Sequence, residues 1–259
     1  NHSHVSALPL SKLTKAQSGT MVRRIAKHKA LPGNLLEQIV GKTDGIPLFV
    51  EELTKAILES KQIEEKEDQY QYMGDMSSIT IPVTLRDSLM ARLDRNRAIR
   101  EVAQIGSVIG REFSYDLVEA IARKPRTDLD QALAELTDSG LASRRGTPPD
   151  ATYMFKHALV QDTAYDSLLK SRRQELHAMI AKAIEEKLPQ VKQTKPEILA
   201  RHLTEAGQIE AALPHWQKAG ELAIRRHAED GAAQTTLQVD DAQRAGFEVG
   251  AGISLANSQ

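Results

Sequence analysis

Leu141-Ala142-Ser143-Arg144-Arg145-Gly146-Thr147-Pro148-Pro149-Asp150-Ala151-Thr152-Tyr153-Met154-Phe155 is the stretch that decides the fold. Its two ends, Leu141–Arg145 and Thr152–Phe155, read as short extended segments. Between them Gly146 to Asp150 is built from turn residues, so the whole reads as a β-hairpin. Four helical patterns lead into it. Thr84 with Asp87 caps a helix carrying Leu85, Leu89 and Leu93. A second carries Ile99, Val102, Ala103 and Val108 and stops at Gly110. Ser114 caps a third, with Leu117, Val118 and Ile121. Thr127 and Asp130 cap a fourth, with Leu129, Leu133 and Leu136, which ends at Gly140. Three helices followed by a hairpin is the order of a winged helix-turn-helix.

Working outward toward the N-terminus, residues 8–27 predict a strand end and then a helix. Thr14 and Gln17 form a capping box there, with Leu13 as a staple. Pro32 opens a helix with Leu35, Leu36, Ile39 and Val40 on one face, and Gly41 and Gly45 bracket its end. Pro47 starts the next helix, which buries Leu48, Phe49, Leu53, Ala56 and Ile57. From Ser60 to Gln71 the chain is rich in Lys, Glu and Gln, and reads as a frayed helix end and solvated linker.

Beyond Phe155 the chain returns to helix. Leu159, Val160, Ala164, Leu168 and Leu169 form one stripe; Leu176, Ile180, Ile184 and Leu188 form another. Pro196 starts a helical hairpin with Ile198, Leu199, His202 and Leu203, then Gly207, then Ala211, Ala212, Trp216, Ala219 and Leu222. Small residues set against one large aromatic suit two closely packed helices of a repeat protein. Past Glu229 no period survives, and the tail reads as disordered. The expected organisation is a mainly α chain. Residues 1–60 form a first helical segment, and 61–80 a charged linker. Residues 81–190 form a winged helix with following helices, 195–228 a TPR-like helical hairpin, and 229–259 a disordered or degenerate tail.

Composition narrows the function classes. Apolar residues at 41% and charged residues at 27% are enough to close a core, and aromatics at 4% leave that core to Leu, Ile, Val and Ala. A net charge of −1 argues against general nucleic-acid binding. No cysteine is present, which excludes disulfides, thiolate metal sites and cysteine nucleophiles. No apolar run approaches the ~20 residues that span a bilayer, so no membrane role and a cytoplasmic location are expected.

Gly41-Lys42-Thr43 matches the last three residues of a phosphate-binding loop, but the glycine such a loop needs five positions earlier is Leu36. The triplet also ends a helix, where carbonyls rather than amides are free. No catalytic residue and no metal ligand set emerges: there is no His-Glu-x-x-His, and His202 and His215 lack helical ligand spacing. Glu51-Glu52 is expected on a solvated helix face. The helix leading into the wing carries Asp128, Asp130, Glu135 and Asp138, which would repel phosphates, and Arg144 and Arg145 are the nearby basic pair. Nucleic acid is therefore an unfavoured partner.

Three runs carry a family resemblance: Thr43-Asp44-Gly45-Ile46-Pro47-Leu48-Phe49-Val50-Glu51-Glu52-Leu53, Phe155-Lys156-His157-Ala158-Leu159-Val160-Gln161-Asp162, and Pro196-Glu197-Ile198-Leu199-Ala200-Arg201-His202 through Trp216 to Gly220. Together, over about residues 8–228, they resemble bacterial STAND-type signalling ATPases of the kind fused to adenylate/guanylate cyclase domains and tetratricopeptide repeats. The resemblance implies that the chain begins after the last strand of an ATPase core, with residues 1–60 the end of that module and its helical lid, so that phosphate-binding and cyclase motifs lie upstream. It implies that Gly45 and Pro47 contact the adenine side of a nucleotide in an intact parent. His157 by itself reads as a core or helix-capping histidine; the resemblance implies instead a sensor facing the β-phosphate, though its neighbours here are Lys156 and Ala158 where Met and Asp are typical. ATP or ADP with Mg is the cofactor expected in the parent and none for this chain alone. The expected partners are the upstream core and a protein bound by the repeats. On this reading the chain is a regulatory, nucleotide-sensing segment and not an enzyme by itself. The alternatives are a winged-helix DNA-binding regulator, or a TPR-like scaffold that binds peptides.

Overall fold

The computed structural model describes residues 11–32, 34–60, 62–73 and 81–225. The expected tail at 229–259, and the start of the strand end at residue 8, lie outside the described residues. The described chain is mainly α-helical with two small antiparallel sheets. It divides into two compact units, residues 1–172 and 173–259.

The first unit opens with α1 (Lys15–Ile25), α2 (Leu35–Thr43) and α3 (Pro47–Leu58). The capping box of α1 is present, with Thr14 Oγ1 accepting from Gln17 N–H and Gln17 Oε1 accepting from Thr14 N–H. α2 begins at Leu35 rather than at Pro32, whose carbonyl accepts from the Leu35 amide. Val22, Leu35, Ile39, Phe49, Val50, Leu53 and Ile57 close an apolar core.

The residues read as a charged linker are part of this lid. Strands β1 (Ile63–Glu65) and β2 (Tyr70–Tyr72) pair antiparallel, with Ile63 opposite Tyr72 and Glu65 opposite Tyr70. Ile63, Tyr70 and Ile81 are buried in the lid core. The hairpin returns to Ala30, whose carbonyl accepts from Tyr70 N–H at 2.8 Å. Lys29 pairs with Glu65 at 2.8 Å. Two or three apolar anchors in a charged run suffice when a neighbouring segment supplies the missing backbone partners. That neighbour lies about 40 residues away in the chain, beyond the reach of a local pattern.

The winged helix follows. α4 (Leu85–Leu93) starts at the capping box of Thr84 and Asp87, and α5 (Arg97–Ile109) ends at Gly110. Next come β3 (Glu112–Ser114), α6 (Tyr115–Ala122), α7 (Arg126–Asp138), β4 (Ala142–Arg145) and β5 (Thr152–Phe155). The sheet order is β3-β5-β4, all antiparallel, so the expected hairpin gains a third strand from the segment before α6. Helix α7 begins at Arg126 with Pro125 at its cap, two residues before the Thr127 cap expected with Asp130. Asp130 instead bonds the Tyr115 hydroxyl, and burial together with that carboxylate pushes the tyrosine pKa up to about 12. Phe113 stacks on Tyr153 with ring centroids 5.7 Å apart and tilts against Phe155 at 5.2 Å, so the rings join β3 to β5 on the buried face of the sheet. α8 (Ala158–Asp166) packs against α5 and α4.

The second unit holds most of α9 (Lys170–Lys187), then α10 (Pro189–Thr194), α11 (Pro196–Glu205) and α12, a helix over residues 209–225. α11 ends in a Schellman turn: Gly207, at φ +80°, donates to Thr204 O and Gln208 donates to Leu203 O. Trp216 Nε1 donates to Thr204 Oγ1 at 3.0 Å and ties α12 back onto α11. This is the helical hairpin that the sequence predicts.

Candidate functional site

The residues singled out by the sequence gather around α3. Gly45, at φ +69°, is buried, and its carbonyl accepts from Leu13 N–H at 2.8 Å. A Cβ there would run into the Leu13 carbonyl oxygen, so only glycine lets the chain ahead of α1 cross this turn. The glycine therefore has a full structural reason inside this chain. Pro47 occupies the first turn of α3, where its missing N–H costs nothing, and it is solvent-exposed beside the exposed Ile46. Gly41-Lys42-Thr43 is the last turn of α2: Lys42 Nζ donates to Ile81 O at 3.1 Å and Thr43 is buried. Its carbonyl end fits no phosphate.

One turn beyond Pro47, Glu51 binds Lys55 on the same helix. Partial burial pushes the Glu51 carboxyl up, but the Lys55 ammonium and the charges of His157 and Lys156 outweigh this and hold it below the usual carboxylate range. His157 is the half-buried N-cap position of α8, immediately after the wing. The fold thus brings His157, from the end of β5, to the side of the helix that Pro47 begins. Lys156 and Lys55 close in around Gly140 at the end of α7, their ammonium groups 3.4 and 3.7 Å from where a Cβ would sit.

Glu52 departs from expectation. It is not on a solvated face: its side chain is 2% exposed and binds Arg92, itself 1% exposed. The Arg92 guanidinium also reaches Glu59 at 3.1 Å from both Nε and Nη2, and donates to Ser139 O at the end of α7. Arg95 adds a contact to Glu59 at 2.7 Å and to the Ala56 carbonyl. Three elements, α3, α4 and α7, are tied by one buried cation. A pattern of 3.6 periodicity cannot find such a pair, because it places each charge on its own helix and says nothing of what faces it.

A groove of about 440 Å³ runs between α1 and α2, lined by Lys15, Gly19, Arg23, Leu36 and Val40, and it includes neither Pro47 nor His157. In the second unit His177 and His202 are buried with their Nδ1 atoms 2.8 Å apart, and His202 Nε2 has no partner. Burial, reinforced by the Arg201 charge, pulls their pKa values down to about 4 and about 3. His202 lies on the apolar stripe visible in the sequence; its partner comes from another helix. Among the described residues no group of three or more His, Cys, Asp or Glu is placed to hold a metal. No helix among them is long and apolar enough to cross a membrane.

No family profile matches the chain. Over 200 residues it is 27% identical to an uncharacterized protein of Rhizobium meliloti (strain 1021), covering 77% of this chain and 19% of that protein. The chain thus spans about a fifth of the length of the relative it matches.

Proposed function

We propose that this chain is the regulatory, nucleotide-sensing segment of a cyclase-linked multidomain signalling ATPase, and that it has no catalytic activity by itself. The observation that carries the reading is the placement of Pro47 and His157 along one side of α3. Pro47 is exposed at the head of the helix, and His157 lies within electrostatic reach of Glu51 one turn further on. A nucleotide held by an upstream core against the head of α3 would meet both the lid and the residue that follows the wing. Such a ligand would favour the packing in which the two stay together. Gly45 serves this arrangement indirectly, by shaping the turn that presents Pro47. The length of the Rhizobium relative supports a parent with further domains. The acidic, exposed Asp128 and Asp138 of α7 weigh against DNA as the ligand. A protein partner would act through α12, which exposes Ile209, Leu213, Trp216 and Ile224.

Calorimetric titration tests the reading. ADP and ATP with Mg are titrated into this chain alone and into the chain joined to an upstream ATPase core. Tight binding is expected from the joined protein alone, with His157→Ala weakening ADP more than ATP. Equal tight binding by both, or indifference to His157, refutes it.

A further inference from the structure

Within the first compact unit the lid keeps its own apolar cluster, and α3 packs along α4 of the winged helix across a seam that carries buried charge. Among the described residues every buried member of the lid core comes from residues 22–81, and the partly buried Leu85 is the one winged-helix hydrophobic packed against it. Where α3 meets α4, the ion pairs and hydrogen bonds are Glu52 and Glu59 on Arg92 and Glu59 and the Ala56 carbonyl on Arg95, with Ser139 O of α7 also on Arg92. Buried charges are a weak way to gain stability, since well-packed apolar side chains in their place are commonly as good or better. What ions provide is a seam that water can dissolve. Once apart, Glu and Arg are solvated, whereas an apolar seam would expose a sticky face.

We propose that Arg92, with Glu52 and Glu59, is a releasable latch: the lid and the winged helix separate about it as two intact bodies. Release begins at Glu59. Its side chain is 38% exposed and that of Arg95 27%, against 1–2% for Arg92 and Glu52, so water enters from that edge. Loss of the Glu59 contacts leaves Arg92 with Glu52 and one carbonyl. The inference stands on the ion cluster and needs no nucleotide, so its test is independent of the titration above.

The chain has no cysteine, so two introduced thiols label cleanly. Spin labels at the exposed positions Gln71, in the lid, and Arg145, in the wing, report the separation by pulsed electron resonance in the full chain. The otherwise unmodified chain is expected to give one dominant distance. Glu59→Gln is expected to raise the population of a second distance at least tenfold, while amide exchange at Leu53 and Val102 shows both cores intact. The apolar pair Arg92→Met with Glu52→Leu is expected to keep a single distance, because a packed apolar seam does not release. A single unchanged distance in Glu59→Gln overturns the proposal. So does a second distance that appears only with loss of amide protection in both cores, since the cluster is then ordinary glue. If Arg92→Met with Glu52→Leu fails to fold, the Glu59→Gln result alone decides.

Discussion

Gly45→Ala separates the structural duty of the Gly-Ile-Pro turn from any duty toward a ligand. Two effects add. Alanine at φ +69° costs about 1–2 kcal/mol relative to glycine. The new Cβ also strikes the Leu13 carbonyl oxygen, which is backbone and cannot rotate away. The segment ahead of α1 must then move, and the 2.8 Å bond from Leu13 N–H to Gly45 O is lost, worth about 1 kcal/mol. The sum is about 2–3 kcal/mol, or a fall in Tm of about 4–12 °C for a chain of this size. Gly41→Ala and Gly19→Ala are the internal controls. Both glycines are helical and a Cβ at either meets nothing within 4 Å, so each alanine should stabilise by about 0.5–1 kcal/mol. Urea unfolding followed by circular dichroism, with no nucleotide present, reads all three. If Gly45→Ala unfolds within 0.5 kcal/mol of the parent, or all three variants shift the same way, the steric argument is wrong.

The His177–His202 pair makes the second unit acid-sensitive. Both folded pKa values lie below the ordinary 6.5, so the unfolded chain binds protons first as pH falls. Stability should be level above pH 6.5 and should fall below it by up to about 1.4 kcal/mol per pH unit for each histidine, down to pH 3–4. Trp216 fluorescence across a pH series of urea melts checks this, and a curve flat from pH 7 to 4 would exclude a neutral buried pair. In the winged helix, a Cβ at Gly106 would lie 2.7 Å from the Phe113 ring, so Gly106→Ala should cost about 1–3 kcal/mol by overpacking. Gly106→Ala with Phe113→Leu should recover part of it, and thermal melts of the single and double variants provide the comparison.

Much of the fold was legible because it is local. Thr14 with Gln17 and Thr84 with Asp87 announce helix starts through neighbours three residues apart, and the structure builds both boxes. Gly207 marks the end of α11 for the same reason. What the sequence did not reveal depends on distant partners. Ile63 and Tyr70 sit in a run of charges, and only Ala30 explains why that run is ordered. Glu52 looks like any acidic helix residue until Arg92, 40 positions later, is placed against it. His202 was visible on an apolar stripe, yet its partner His177 is 25 positions away on another helix. Around the candidate site, periodicity delivered the helix that bears Pro47 and the β-strand that precedes His157. It could not deliver the juxtaposition of the two.

The return of residues 63–72 to Ala30 also dictates where such a protein can be cut. Composition invites a boundary at residue 61, but a fragment ending there would lose Ile63, Tyr70 and Ile81 from its interior, at about 1.5–3 kcal/mol for each large apolar side chain. A free-standing lid has to run through Ile81. A free-standing winged helix can begin at Thr84, keeping its first cap. The permissible seam is thus two residues wide, and a protease probing the native chain should find little purchase in the charged stretch that looks most open to it.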